Sequence, residues 1–345
     1  MAADARRQIS GVVNVAGSAS SRRRLRDASD QSDHKTTNMS RTFLGIEIGG
    51  TKLQLVTGDE QARITGRRRL AVNVREGGAG IQRQIAAALP ELLAAAKPAA
   101  VGVGFGGPVD WRTGKICCSH QIEGWSEFPL GDWLRELSGL AVAVDNDANT
   151  AAFGEALVGA GLGFDSAFYM NMGSGVGGGL VVGGRIYHGA QPGEAEIGHV
   201  RLDRLGGTVE SRCSGWAVDA RIRALRATEP GCSLVRLTAG MQGGEAKFLP
   251  AALAQGDTAA RRILDEVAEN LAFAISHVVH LFHPQVVVLG GGLSLIGEPL
   301  RAAVEQALGG FIMAAFAPGP QVRLAGLGED AVPVGALVLA RQAVG

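Results

Sequence analysis

The first sustained apolar pattern in the chain starts at Phe43, and strands and helices can be read from there onward. Phe43–Ile48 reads as a strand, Gly49-Gly50-Thr51 as a turn, and Leu53–Thr57 as the returning strand, with a third near Arg67–Val74. A helix is predicted over Ile81–Ala96, interrupted by Pro90, and then a buried strand over Ala100–Phe105. Leu140–Val144 is a strand with a helix behind it at Asn149–Val158. Ser166–Met172 and Gly178–Val182 are strands flanking a glycine loop, and Gly183-Gly184 supplies a two-residue hairpin turn into Arg185–Tyr187. The longest helix, Thr258–Phe282, carries Ile263, Val267, Leu271, Ile275 and Val278 on one face. It stops at His283-Pro284, because proline disfavours helix at the residue before it. Gln285–Leu289 is a buried strand, and a further helix lies within Leu293–Leu308. Early hairpin strands followed by alternating strands and helices predict an α/β fold with mixed sheets.

Residues 1–41 break this pattern. They are rich in Arg, Ser, Asp and Ala without apolar periodicity, which predicts a disordered tail. The cluster Arg22, Arg23, Arg24 and Arg26 is diluted by Asp27, Asp30 and Asp33, and no apolar stretch of a targeting peptide accompanies it. Met39, just ahead of the first strand, offers an alternative start.

Composition narrows the function classes. With 345 residues, 46% of them hydrophobic, the chain has material for two domains of ordinary size. Lys+Arg and Asp+Glu number 33 each, so the basic excess of a general nucleic-acid binder is missing. No apolar run reaches the roughly 20 residues of a membrane helix. Cys117, Cys118, Cys213 and Cys232 form no paired set, which points to a reduced, cytoplasmic setting. The 51 glycines are the outlier, and many sit beside short apolar runs, where backbone can approach a ligand closely.

Three strand-and-glycine units concentrate that property. In Gly45–Lys52 a strand delivers Glu47, Gly49 and Gly50 expose backbone N–H groups, and Thr51 and Lys52 add a hydroxyl and an ammonium, a set suited to polyphosphate and its magnesium ion. In Asn171–Gly179 a hairpin loop carries Gly173, Ser174, Gly175 and Gly177, where side chains would block a phosphate. It is no dinucleotide fingerprint, since a strand rather than a helix follows. In Val286–Ser294 a buried strand ends in Gly290, Gly291 and Gly292, expected beside an adenosine. Together the three predict a nucleotide site.

Between them, Asp145-Asn146-Asp147-Ala148-Asn149 places more polar side chains at a strand end than helix capping requires, and Asp147 is the candidate general base for phosphoryl transfer. Glu194, Glu196, His199 and Glu210 follow the hairpin and suit sugar hydroxyls, which both donate and accept. His277, His280 and His283 are read as helix-end and packing residues rather than as a metal site.

From Phe43 to the C-terminus the chain resembles the ROK group of bacterial sugar kinases and sugar-sensing repressors, within the actin-like ATPase superfamily. The resemblance rests on an ordered set of motifs: Gly45–Lys52, Gly104–Asp110, Gly124-Trp125, Asn146–Gly154, Gly173–Gly179, Glu196–His199 and Gly290–Gly292. It implies two α/β lobes closing over a cleft: residues 42–146, to which a last helix near Val334–Ala343 (residues 332–345) returns, and residues 147–331. It further implies Mg2+ with ATP at the cleft base, Asp147 as catalytic base, and Asn146, Glu196, His199 and Glu210 as sugar contacts. Nucleic acid and membrane are not expected partners; relatives are often dimers, so a homodimer is. A hexose kinase of the glucokinase kind is the first expectation. A kinase for another sugar or cyclitol, or a non-catalytic sensor, is the alternative, although residues 1–41 are too short and polar for a repressor's DNA-binding module.

Four positions depart from the family's pattern: Glu47 stands for the usual Asp, Gln121 for Asn, and Ser174 for Thr. The fourth is a whole segment. Many members carry a cysteine-rich zinc element between the Gly-His pair and the downstream Glu, whereas Val200–Glu210 contains no cysteine, and Cys213 alone cannot complete a tetrahedral site. No structural zinc is expected.

Overall fold

A short run of alternating faces, buried on both sides, makes Phe43–Ile48 the central strand of a sheet (β1). A computed structural model of the chain describes residues 41–345 except Thr51, His120, Gln121 and Glu194. The expected tail through residue 40, and the readings of Thr51, Gln121 and Glu194, lie outside the described residues. After β1 come β2 (Lys52–Gly58), β3 (Ile64–Ala71), α1 (Gly77–Ala96), β4 (Ala100–Phe105), the short pair β5 (Val109–Asp110) and β6 (Lys115–Ile116), α2 (Leu130–Ser138), β7 (Ala141–Asn146) and α3 (Asp147–Leu157). The sheet order is β3-β2-β1-β4-β7, with antiparallel pairing among the first three and parallel pairing from β1 through β4 to β7.

The remainder repeats this plan. It contains β8 (Ser166–Met172), β9 (Val176–Val182), β10 (Arg185–Ile186), α4 (Val209–Cys213), α5 (Gly215–Thr228), α6 (Ser233–Leu237), α7 (Leu249–Ala254), α8 (Thr258–Phe282), β11 (Val286–Gly290), α9 (Glu298–Leu308), β12 (Gln321–Leu324) and α10 (Ala331–Gln342). The second sheet runs β10-β9-β8-β11-β12, again two antiparallel pairings followed by two parallel ones. The fold is thus the expected mixed α/β architecture. Among the described residues, no helix is long and apolar enough to cross a membrane.

Several elements differ from their sequence reading for local reasons. Pro90 lies within α1 on its exposed side, and the helix continues past it to Lys97, which caps it in the left-handed region. β7 passes into α3 without a loop, because the Asn146 side chain accepts from the N–H groups of Ala148 and Asn149 and starts the helix at once. The helix read within Leu293–Leu308 is divided at Gly297 (φ 81°) into a single 3-10 turn, Gly292–Ile296, and α9.

Two helices join the halves. α3 is buried from Ala148 to Ala156, nearly all round, as expected of a helix enclosed by other elements. With α10 it forms a core containing Phe43 and Val56 of the first sheet and Ala167, Tyr169 and Val181 of the second. A side chain at Gly335 of α10 would collide with the Thr150 carbonyl of α3, and one at Gly102 of β4 with the Ala336 carbonyl, so α10 lies backbone against backbone on both.

Candidate active site

Parallel strands present their carboxyl ends, and the loops beyond them, on one edge of a sheet, which is where open α/β sheets bind ligands. Here Ile48, Phe105 and Asn146 stand at one level, paired across β1, β4 and β7. In the second sheet Asn171 of β8 is level with Gly290 of β11. The segments that follow β4, β7 and β8 line a cavity of about 560 Å³. One wall is Gly106, Gly107 and Pro108 after β4, with Asn146, Asp147 and Ala148 at the β7–α3 junction. The facing wall is the β8–β9 hairpin from Asn171 to Gly178, including Gly173, Ser174, Gly175 and Gly177. Ala195, Glu196, His199 and Glu210 complete it.

Asn146 and Glu210 are held by backbone. Asn146 Oδ1 caps α3, accepting from Ala148 N at 2.8 Å and Asn149 N at 3.2 Å, while Nδ2 donates to the Gly107 carbonyl at 3.2 Å. One Nδ2 hydrogen therefore remains for a ligand. Glu210 comes from the first turn of α4, and its Oε2 accepts from Val176 N at 2.9 Å. A side chain at Gly175 would strike that carboxylate. Glu196 Oε2 and His199 Nε2 lie 4.0 Å apart across a single 3-10 turn, both exposed to the cavity.

Asp147 sits at the first position of α3, and its Oδ1 accepts from Ala148 N at 2.8 Å. Although part of its surface faces the cavity, desolvation by the surrounding walls dominates and pushes its carboxyl up to about 6. The N–H of Ala148 opposes that shift, and the negative charges of Glu47 and Glu196 add to it. A half-buried carboxyl titrating just below neutrality, beside a glycine-lined cavity, has the properties of a general base.

The other nucleotide candidates lie beside the cavity rather than in its wall. Gly49 donates to the Lys52 carbonyl at 2.8 Å, closing the β1–β2 turn with Gly50, and Gly106 donates to the Ile48 carbonyl at 2.8 Å, so this turn abuts the cavity edge. Lys52 Nζ is 3.2 Å from Glu47 Oε2, and Gln54 also donates to that carboxylate. β11 ends at Gly290 and is followed by Gly291 and Gly292; a side chain at Gly291 would meet Asn171 Oδ1 at 2.6 Å, whereas among the described residues nothing lies within 4 Å of one at Gly292. The third loop is therefore one strand away from the hairpin, with Asn171 between them.

The three histidines are explained by packing. His277 stacks edge-on to Phe273, His280 Nε2 accepts from Met313 N at 3.1 Å, and His283 stacks on Phe316. Among the described residues, no group of three or more His, Cys, Asp and Glu side chains is arranged to hold a metal ion.

Sequence reasoning did not assign a role to Gly106, Gly107, Pro108 or Asn171 individually, although each lies within a motif it noted. It missed one cluster entirely: His188 and Trp111, which meet next to Asp145. A lone histidine after a hairpin and a lone tryptophan 77 positions before it carry no local signal, because only the approach of the two halves brings them together. A larger groove of about 790 Å³ runs along β7 past these residues but shares none of the residues of the glycine-lined cavity.

Known proteins resemble this chain over most of its length. The ROK family profile matches residues 43–343. A glucokinase of Halalkalibacterium halodurans is 34% identical, covering 88% of this chain and 96% of its own. A glucokinase of Thermotoga maritima is 30% identical, covering 88% and 98%. Among solved structures, the ROK family glucokinase of Streptomyces griseus, in complex with glucose and AMPPNP, is 32% identical with a TM-score of 0.75, covering 87% of this chain and 99% of that one.

Proposed function

This chain belongs to the ROK family, and from that premise we propose that it is an ATP-dependent hexose kinase of the glucokinase kind. The observation that carries the proposal is the position of Asp147: its carboxylate faces a cavity with a glycine hairpin in one wall and Asn146, Glu196, His199 and Glu210 near it. The support from relatives is the two glucokinases and the glucose and AMPPNP bound by the Streptomyces griseus enzyme.

In this reading Asn146, Glu196, His199 and Glu210 hold sugar hydroxyls, and Asp147 takes the proton from the hydroxyl oxygen as that oxygen attacks the γ-phosphorus and ADP leaves. A carboxyl near 6 is mostly ionised at neutral pH and still basic enough to accept the proton. The backbone of Gly173–Gly177 and of Gly49-Gly50, with Thr51 and Lys52, cradles the phosphates, and Gly290–Gly292 leave room for the adenosine. Closure of the two lobes, 42–146 with 332–345 and 147–331, excludes water that would otherwise hydrolyse ATP.

The donor set also fits magnesium. Glu47 and Glu196 add to the negative potential around Asp147, which a divalent cation would relieve, and Mg2+ commonly needs only one or two carboxylates beside substrate phosphates. Glu47 would hold it, and the ion when bound neutralises charge on the transferring phosphoryl group.

The test is ADP release from Mg-ATP with a panel of hexoses, amino sugars and cyclitols, alongside Asp147→Ala. Sugar-dependent turnover that falls by about a hundredfold or more in the variant is expected. Turnover unaffected by the substitution removes Asp147 from the role. Silence across the panel, with sugar binding still seen by thermal shift, replaces the kinase with a sensor.

A further inference from the structure

The segment His188–Gly193 lies shortly before Ala195 and Glu196 of the cavity wall, and it is fastened to the first half of the chain at three places. His188 Nε2 lies 2.6 Å from Asp145 Oδ2, Gln191 Nε2 donates to Asp110 Oδ1 at 2.5 Å, and the Gly193 carbonyl accepts from Asn149 Nδ2 at 3.1 Å. The inner tie is the most completely built. Asp145 Oδ1 is already occupied by Asn146 N at 2.8 Å and Asn149 Nδ2 at 2.9 Å, which orients Oδ2 toward the imidazole. The acceptor geometry puts the ring proton on Nε2. Asp145 and His188 side chains retain 5% and 13% of their exposure, so water competes little for this bond.

Packing restricts the ring as tightly as the hydrogen bond does. Trp111 stacks on it at 4.1 Å between centroids and 12° between planes, and the Trp111 Nε1 is buried with no hydrogen-bond partner among the described residues. Gly193 closes the arrangement at φ 93°, where an added side chain would press on His188 and on Trp111 Cδ1 at 3.2–3.3 Å. The same carboxylate that holds His188 thus belongs to the residue directly before Asn146 and Asp147, while the segment it holds leads directly to Glu196.

We propose that His188 is a positioning residue that straps the Glu196 loop to the strand carrying Asn146 and Asp147, fixing the distance between the sugar-holding groups and the base. The proposal rests on the kinase reading for its consequence, but the strap itself is a property of the chain. His188 touches no reacting atom in this scheme. Its removal frees the loop and weakens sugar binding, while the nucleotide loops, which do not depend on it, are left in place.

The experiment compares wild type, His188→Ala and His188→Gln, the last keeping a donor near the Nε2 position. Amide hydrogen exchange over residues 193–199 is expected to accelerate by roughly tenfold in H188A and to return most of the way in H188Q. Calorimetric titration with glucose should give a dissociation constant raised by about tenfold in H188A, with the KM for ATP within about twofold of wild type. Exchange in H188A at the wild-type rate overturns the strap, as does H188Q matching H188A in both measurements. Should H188A fail to fold, Gln191→Ala, which cuts only the exposed outer tie, takes its place in the exchange measurement, with about a threefold acceleration expected. A wild-type protein that binds no hexose at all sinks the kinase reading and leaves the exchange result to decide the strap.

Discussion

Asp147 should be costly to the fold in proportion to its usefulness as a base, and Asp147→Asn tests this. The carboxyl is raised from 3.8 to about 6, chiefly by desolvation. Its folded value lies above its unfolded one, so the folded chain prefers it protonated. The stabilising contribution is therefore whole below about pH 4 and is lost as pH rises through about 6. At roughly 1.36 kcal/mol for each pKa unit, ionising it at pH 7.5 costs about 2–3 kcal/mol, against about half a kcal/mol at pH 4. Asparagine resembles the protonated form, keeps an oxygen for Ala148 N, and carries no charge to desolvate.

D147N is accordingly expected to melt higher than wild type at pH 7.5, by about 3–5 °C for a chain of roughly 300 ordered residues. The difference should shrink to about 1 °C near pH 4. Sugar-dependent turnover should fall by about a hundredfold or more over the same range. Scanning calorimetry from pH 4 to 8, paired with an ADP-release assay, reads both quantities. A variant that is less stable than wild type at pH 7.5, or whose advantage does not grow between pH 4 and 6, would refute the desolvation argument even if activity were lost.

Two further predictions follow from the cavity. Gly175→Ala, which drives a methyl into the Glu210 carboxylate, should raise the KM for sugar and for ATP together by about tenfold, measured by steady-state kinetics; a change confined to one substrate would mean that the hairpin and Glu210 act separately. Asp203→Ala should lower the melting temperature at pH 7 and raise the sugar KM by about threefold or more, while prolonged dialysis against a chelator leaves the wild-type melting temperature unchanged. The melting effect should vanish at low pH, because hydrogen bonds from Gly207 and Leu205 N–H groups and the Arg212 guanidinium hold the Asp203 carboxyl below its usual range, and its contribution is lost once that carboxyl is protonated.

The strands that line up the site were legible because burial on both faces writes itself as an apolar run. β1, β4 and β8 match their sequence readings residue for residue, as does α8, whose one-sided periodicity extends over 25 residues. The stretch from Val209 to Ala254 was not read, since α4, α6 and α7 have five or six residues each and show less than two turns of any period, while the 14-residue α5 places the charged Asp219 among its buried positions and so breaks its apolar stripe. Within the site, the glycine hairpin and the Asn146–Asp147 junction were legible from composition at a strand end. What could not be read was the pairing of positions distant in sequence. Asn146 spends most of its side chain on capping α3 and holding Gly107, which leaves one Nδ2 hydrogen unspent. The His188 tie to Asp145 depends on how the two sheets face each other across α3 and α10, and no local pattern encodes that.

The segment from Val200 to Glu210 shows how the same site is supported without cysteines in it. Arg201 and Thr208 bridge across a small hairpin, Leu202 N donates to the Gly207 carbonyl at 2.8 Å, and Val209 N donates to Val200 O at 3.0 Å. At the turn, Asp203 Oδ1 accepts from Leu205 N at 2.7 Å and Gly207 N at 3.0 Å, and Oδ2 meets Arg212 at 2.5 Å. Thr208 and Ser211 then cap α4 reciprocally. One carboxylate thus gathers the hairpin tip and the last turn of the helix that carries Glu210. The parts are hydrogen bonds and one ion pair at a partly exposed site, so this support weakens with ionic strength and is lost when the Asp203 carboxyl is protonated. Glu210 also accepts from Val176 at the base of the glycine hairpin. Glu210 and the base of the glycine hairpin therefore move with the Asp203 hub, so on the proposed function slack there loosens the phosphate loop and the sugar pocket together.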